Sequence, residues 1–114
     1  MLTTDALRAI GADVDEGISR CMGNEAFYLR MVGMLSSDTH LTQLEEALAR
    51  DDLGAAFEAA HALKGVLANL AIKSVLEPVS EMTELLRAHT KMDYTPLLTA
   101  AKEKMNRLLS LIKE

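Results

Sequence analysis

Apolar residues recur at alternating spacings of three and four along most of the chain, and the longest run is Leu53, Ala56, Ala60, Leu63, Leu67 and Leu70. This spacing lays a stripe along one side of an α-helix, which predicts a long amphipathic helix from about Asp52 to Ala71. Val75, Val79, Met82 and Leu86 repeat the pattern up to about His89, and Leu98, Ala101, Met105, Leu108 and Ile112 carry it to the C-terminal end. Ahead of them, Phe27, Met31 and Met34 keep the spacing as far as Ser36-Ser37-Asp38, and Leu41, Leu44 and Leu48 resume it. One arm is predicted there, bent near Ser36 and recapped by Asp38, because an unbroken helix over 25–50 would be about 39 Å long and would outrun its neighbours.

Polar residues and glycines set the boundaries. Thr3 or Thr4 can open a short helix running to Ile10, where Gly11 stops it. Asp13 and Glu16 have the spacing of a capping box for a second short helix closed by Gly23, and Asn24 caps the arm that follows. Asp51 or Asp52 caps the long helix, Ser74 and Glu77 form another capping box, and Pro96 stands at the first position of the last helix. Pro78 falls in the first turns of its helix and predicts a small kink. Links of two to six residues make sequential helices antiparallel neighbours. The predicted fold is all-α: an antiparallel up-down-up-down four-helix bundle over about 24–113, with two short N-terminal helices over about 4–22 lidding one end. Residues 1–114 are expected to form one domain. Composition points the same way, since Leu, Ala and seven Met outweigh an aromatic share of only 4% without Trp.

A net charge of −5, a pI near 5.2 and the lack of any basic run argue against nucleic acid or anionic lipid as partners. Neither a signal peptide nor 18 consecutive apolar residues can be found, so a cytoplasmic protein without a membrane span is expected. Cys21 is the single cysteine, which excludes an internal disulfide and leaves ordinary packing as its role.

Candidate chemistry sits in the long helix. At 100° per residue, His61 lies about 130° from the centre of the apolar stripe, on the outer side of the helix. Gly54, Phe57, Glu58, Lys64, Gly65 and Ala68 fall within about 60° of it. A glycine in mid-helix costs roughly 1 kcal/mol against alanine, so Gly65 calls for a reason, and close approach by another molecule supplies one. An exposed imidazole followed three residues later by a lysine suits transient phosphorylation: the neutral ring is a nucleophile near pH 7, and the ammonium offsets the incoming charge.

His61-Ala62-Leu63-Lys64-Gly65, followed by Ala68-Asn69-Leu70, closely resembles the His-x-x-Lys-Gly signature of the histidine-containing phosphotransfer (HPt) domains of two-component phosphorelays. The likeness extends to Asp13-Val14-Asp15-Glu16-Gly17, to Gly23 through Tyr28, and to the Leu48–Leu53 turn, so it spans about Asp13 to the C-terminus. It implies that His61 is the phosphoacceptor, that Lys64 contacts the phosphoryl group, and that Gly65, Ala68, Phe57 and Glu58 face the partner. Those partners would be response-regulator receiver domains and a hybrid histidine kinase. The chain itself would be a monomeric carrier with no ATP-binding machinery and no cofactor of its own, any Mg²⁺ belonging to the receiver. Met1, close ahead of the first cap, permits a free-standing carrier. Two positions depart from the family's habit. Ala71 replaces a glycine ten residues after the histidine, which bears on how the helix ends, and Val66 and Leu67 replace small polar residues, which bears on the choice of partner.

Two other readings compete. Glu58-Ala59-Ala60-His61 is a Glu-x-x-His of the kind found in di-iron bundles, but such sites need two, and Leu86 and Ser37 stand three residues before His89 and His40. The other is a plain helical interaction domain with His61 and Lys64 merely solvated. His40 and His89 lack a following Lys-Gly and are expected at the surface.

Overall fold

Most helices in the computed structural model, which describes residues 2–113, begin where a short polar side chain takes up a backbone N–H that has no partner inside the helix. Thr3 Oγ1 accepts from the Ala6 amide at 3.1 Å and opens α1 (Thr4–Ala9), and Asp13 Oδ1 accepts from Glu16 at 3.2 Å and opens α2 (Val14–Arg20). Asn24 does the same for α3 (Glu25–Gly33) and Asp52 for α5 (Leu53–Asn69), at 2.9 and 3.0 Å. Asp38 Oδ1 accepts from the His40 amide at 2.8 Å and starts α4 (His40–Ala49), after a 3₁₀ turn over Met34–Ser37 breaks the expected arm in two. Helices α6 (Lys73–Arg87) and α7 (Thr95–Lys113) complete an all-helical chain, with no strand among the described residues.

Two predicted capping boxes form differently. Glu16 does not reach back to Asp13; the Asp13 amide donates instead to the Ala71 carbonyl at 2.8 Å, and the Glu16 carboxylate meets Lys73 Nζ at 2.8 Å. Ser74 is no cap, because α6 already begins at Lys73, and the Ser74 amide donates to the Gly11 carbonyl at 3.2 Å. Both local expectations gave way to one tertiary arrangement. The α1–α2 loop pairs with the α5–α6 connection through these two backbone hydrogen bonds.

Five helices end in the same turn. In each, the residue just past the C-cap has positive φ and donates to the carbonyl three residues back, while the next amide reaches five residues back, the pattern of a Schellman motif. Gly11 (φ 91°) fills that left-handed position after α1, but Met22 (61°), Asp51 (59°), Ala71 (55°) and His89 (56°) fill the others. The α5 helix therefore ends with an alanine in the left-handed position, without loss of the turn: Ala71 donates to Ala68 at 3.1 Å and Ile72 to Leu67 at 3.0 Å.

Helix α5 packs between α4 and α6, and α6 packs in turn on α7. Its predicted stripe is the core face, with Ala56, Ala60, Leu63 and Leu67 fully buried, Leu70 nearly so and Leu53 half-buried. The first arm buries a different face from the one expected. Tyr28, Val32 and Leu35 point inward, while Phe27 and Met34 are 44% and 60% exposed. Both triplets have the same four-three spacing, one residue apart. Tyr28 decides between them, because its ring lies against Gly17 and its hydroxyl donates to the Leu70 carbonyl at 2.9 Å. Burial pushes the Tyr28 hydroxyl up to about 12.

Candidate functional site

No residue on the outer face of α5 is buried: Gly54, Glu58, His61 and Gly65 are exposed, and Phe57, Lys64 and Ala68 are half-buried. The face divides by direction. Phe57 and Lys64, displaced to one side of His61, lean on α6, whereas Glu58, displaced to the other, borders a groove toward α4 with His40, Gln43, Glu46 and Arg50. His61 and Glu58 therefore do not converge, and among the described residues no group of three or more His, Cys, Asp or Glu is placed to hold a metal.

Phe57 lies one turn before His61, and the two rings stack with centroids 5.5 Å apart and planes 13° from parallel. The Arg87 guanidinium of α6 lies over the same phenyl ring, 5.0 Å from its centroid. Half-buried Phe57 thus lies between the imidazole and the Arg87 guanidinium. Gly65, one turn beyond His61, has open space where a Cβ would stand, with nothing within 4 Å.

Lys64 is less free than its place on the helix suggests. Its Nζ lies 3.4 Å from Glu84 Oε2 on α6, and the other oxygen of the same carboxylate lies 3.4 Å from Arg87 Nε. The hydrogen bond from Lys64, with the nearby Arg87 charge, holds the Glu84 carboxyl below the ordinary carboxylate range. Neither Glu84 nor Arg87 was predicted for the site. They are an ordinary polar pair three apart on α6, and only the antiparallel register, which sets Phe57 against Arg87 and Lys64 against Glu84, brings them there.

His40 lies at the surface, as expected, but its ring is tied to a carboxylate. Its Nδ1 sits 3.0 Å from both carboxylate oxygens of Asp38, and its side chain is only a third exposed. His89 is exposed, at the left-handed position closing α6. Cys21 is buried in the core.

With this geometry in place, the family comparison decides the class: a family profile described as Hpt domain matches residues 34–111, about two thirds of the chain. The chain belongs to the Hpt family. Neither a curated protein nor a solved structure matches the chain. The matched segment runs from the 3₁₀ turn into α7 and contains the whole of α5 and α6. It begins later than the resemblance did, leaving α1 to α3 outside. Membership in the Hpt family implies histidine phosphotransfer in a two-component phosphorelay, by a carrier and not a kinase. No helix among the described residues is long and apolar enough to cross a membrane.

Proposed function

We propose that this Hpt domain carries a phosphoryl group on His61, received from the phosphoaspartate of one receiver domain and passed to the aspartate of another. In the accepting step a lone pair on a ring nitrogen forms the N–P bond. The P–O bond to the aspartyl oxygen breaks, and the carboxylate leaves with the electron pair while the ring's other nitrogen releases its proton to solvent. Lys64, one turn along, offsets the charge of the transferring group. Phe57 restrains the ring, and the open surface at Gly65, bordered by Ala68 and Glu58, admits the receiver. Mg²⁺ belongs to the acidic pocket of that receiver, and the partners are receiver domains and a hybrid histidine kinase.

The observation that carries this reading is the exposed His61 with Lys64 and an unfilled Gly65 on one face, inside the segment that matches the family. We further propose that α3 with α4, α5, α6 and α7 act as the four antiparallel arms of one bundle, working as a cytoplasmic monomer. The test is incubation with a phosphorylated receiver domain. An acid-labile, base-stable phosphate should appear on the wild type and be absent from His61→Gln. Equal labelling of both would sink the assignment.

A further inference from the structure

We infer that Glu84 is an internal occupant of the phosphoryl subsite: it holds Lys64 while His61 is free, and yields the ammonium when His61 is phosphorylated. The inference rests on the reading of His61 as phosphoacceptor. Lys64 is the cation next to His61 on the helix face, yet its ammonium is already 3.4 Å from Glu84 Oε2 and turned toward α6. A phosphoryl group on His61 would bring a charge near −2 and three acceptor oxygens to the same ammonium, against the single charge of a carboxylate. The phosphoryl group therefore wins Lys64 once it is present.

Arg87 makes the exchange reversible. Its Nε lies 3.4 Å from Glu84 Oε1, and its guanidinium is kept near by the Phe57 ring. When Lys64 leaves, the carboxylate keeps a cation beside it and is not driven from the site. Its return to Lys64 favours departure of the phosphoryl group, so Glu84 raises the tendency of phosphorylated His61 to pass its load on. A carrier gains from that, because a phosphohistidine held too tightly would not be delivered.

Potassium phosphoramidate, a small phosphodonor, tests this on the whole chain without any receiver. Its P–N bond breaks and ammonia departs with the bonding pair, as a ring nitrogen of His61 forms the new N–P bond and the other ring nitrogen gives up its proton. The loading rate and the lifetime of the phosphohistidine are followed by ³¹P NMR. Glu84→Gln should load faster and discharge more slowly, the two changes together amounting to about two- to fivefold, the range an ion pair of this exposure is worth. In a Lys64→Ala background the same change should have almost no effect. Equal rates for Glu84→Gln and wild type would overturn the inference, as would an undiminished effect in the Lys64→Ala background, since the carboxylate would then act through its own field. A wild type that takes no phosphate on His61, or no more than His61→Gln takes, would instead remove the phosphoacceptor reading underneath.

Discussion

The Tyr28 hydroxyl donates to the Leu70 carbonyl across 42 positions of sequence, and this one hydrogen bond joins the N-terminal segment to the end of the helix that carries the candidate site. The phenol is fully buried, so burial favours its neutral form and raises its folded value to about 12 from an ordinary 10.0. A raised value in the folded state means that the contribution to stability is complete below pH 10 and is lost as the pH climbs toward 12. Urea unfolding of the wild type should weaken over that window by on the order of 2 kcal/mol. Tyr28→Phe should lose about 1 kcal/mol at neutral pH by orphaning the Leu70 carbonyl, and should show a flatter alkaline limb.

Gly17 lies beneath the same ring. A Cβ there would stand 2.7 Å from Tyr28 Cζ and 2.9 Å from the Leu70 carbonyl oxygen, and that oxygen is backbone that cannot swing aside. Gly17→Ala should therefore destabilise the fold by about 1–3 kcal/mol although alanine is the better helix former, as thermal unfolding would reveal.

The left-handed helix ends make the opposite prediction. Met22 is 94% exposed at φ 61°, so replacing it removes no packing. Met22→Gly should raise stability by about 0.5–1 kcal/mol, the difference between relieved strain and the greater freedom of glycine in the unfolded chain. His89→Gly, at φ 56°, should behave alike. A denaturation midpoint that falls in both variants would contradict the strain argument.

At the site, Phe57→Ala should remove the stacking partner of His61 and release Arg87. We expect loss of about 1 kcal/mol of stability, a broadened range of His61 ring positions in ¹³C NMR, and phosphotransfer slowed several-fold. Lys64→Ala should slow transfer further while leaving the unfolding midpoint within about 1 kcal/mol of wild type, because the ion pair it breaks is partly solvated.

Where periodicity and a cap reported the same boundary, the sequence was readable. The α5 stripe, the Asp52 cap and the outward direction of His61 all follow from residue spacing, because a long helix averages over many positions. In α3, Phe27-Met31-Met34 and Tyr28-Val32-Leu35 are equally periodic, and only a contact with Gly17 and Leu70, both remote in sequence, selects the second. Glu16 fails as a reciprocal cap and Ser74 as an N-cap for the same kind of reason: Lys73 and the Gly11 carbonyl compete for them, and neither competitor is local. Glu84 and Arg87 carry no motif at all, and become part of the site only through the register of α6 against α5.

That register also separates the site from the lid. His61 stands on α5 beside Lys64 and Phe57, whose partners are on α6, whereas the α1–α2 loop, with Tyr28 of α3, grips the far end of this hairpin at Leu70, Ala71 and Ser74. His61 is nine residues from Leu70, about 14 Å along the helix. The α1–α2 lid can thus open and close in partial unfolding without touching His61, Lys64 or Phe57, and a damaged lid would shorten the life of the protein before it altered that surface.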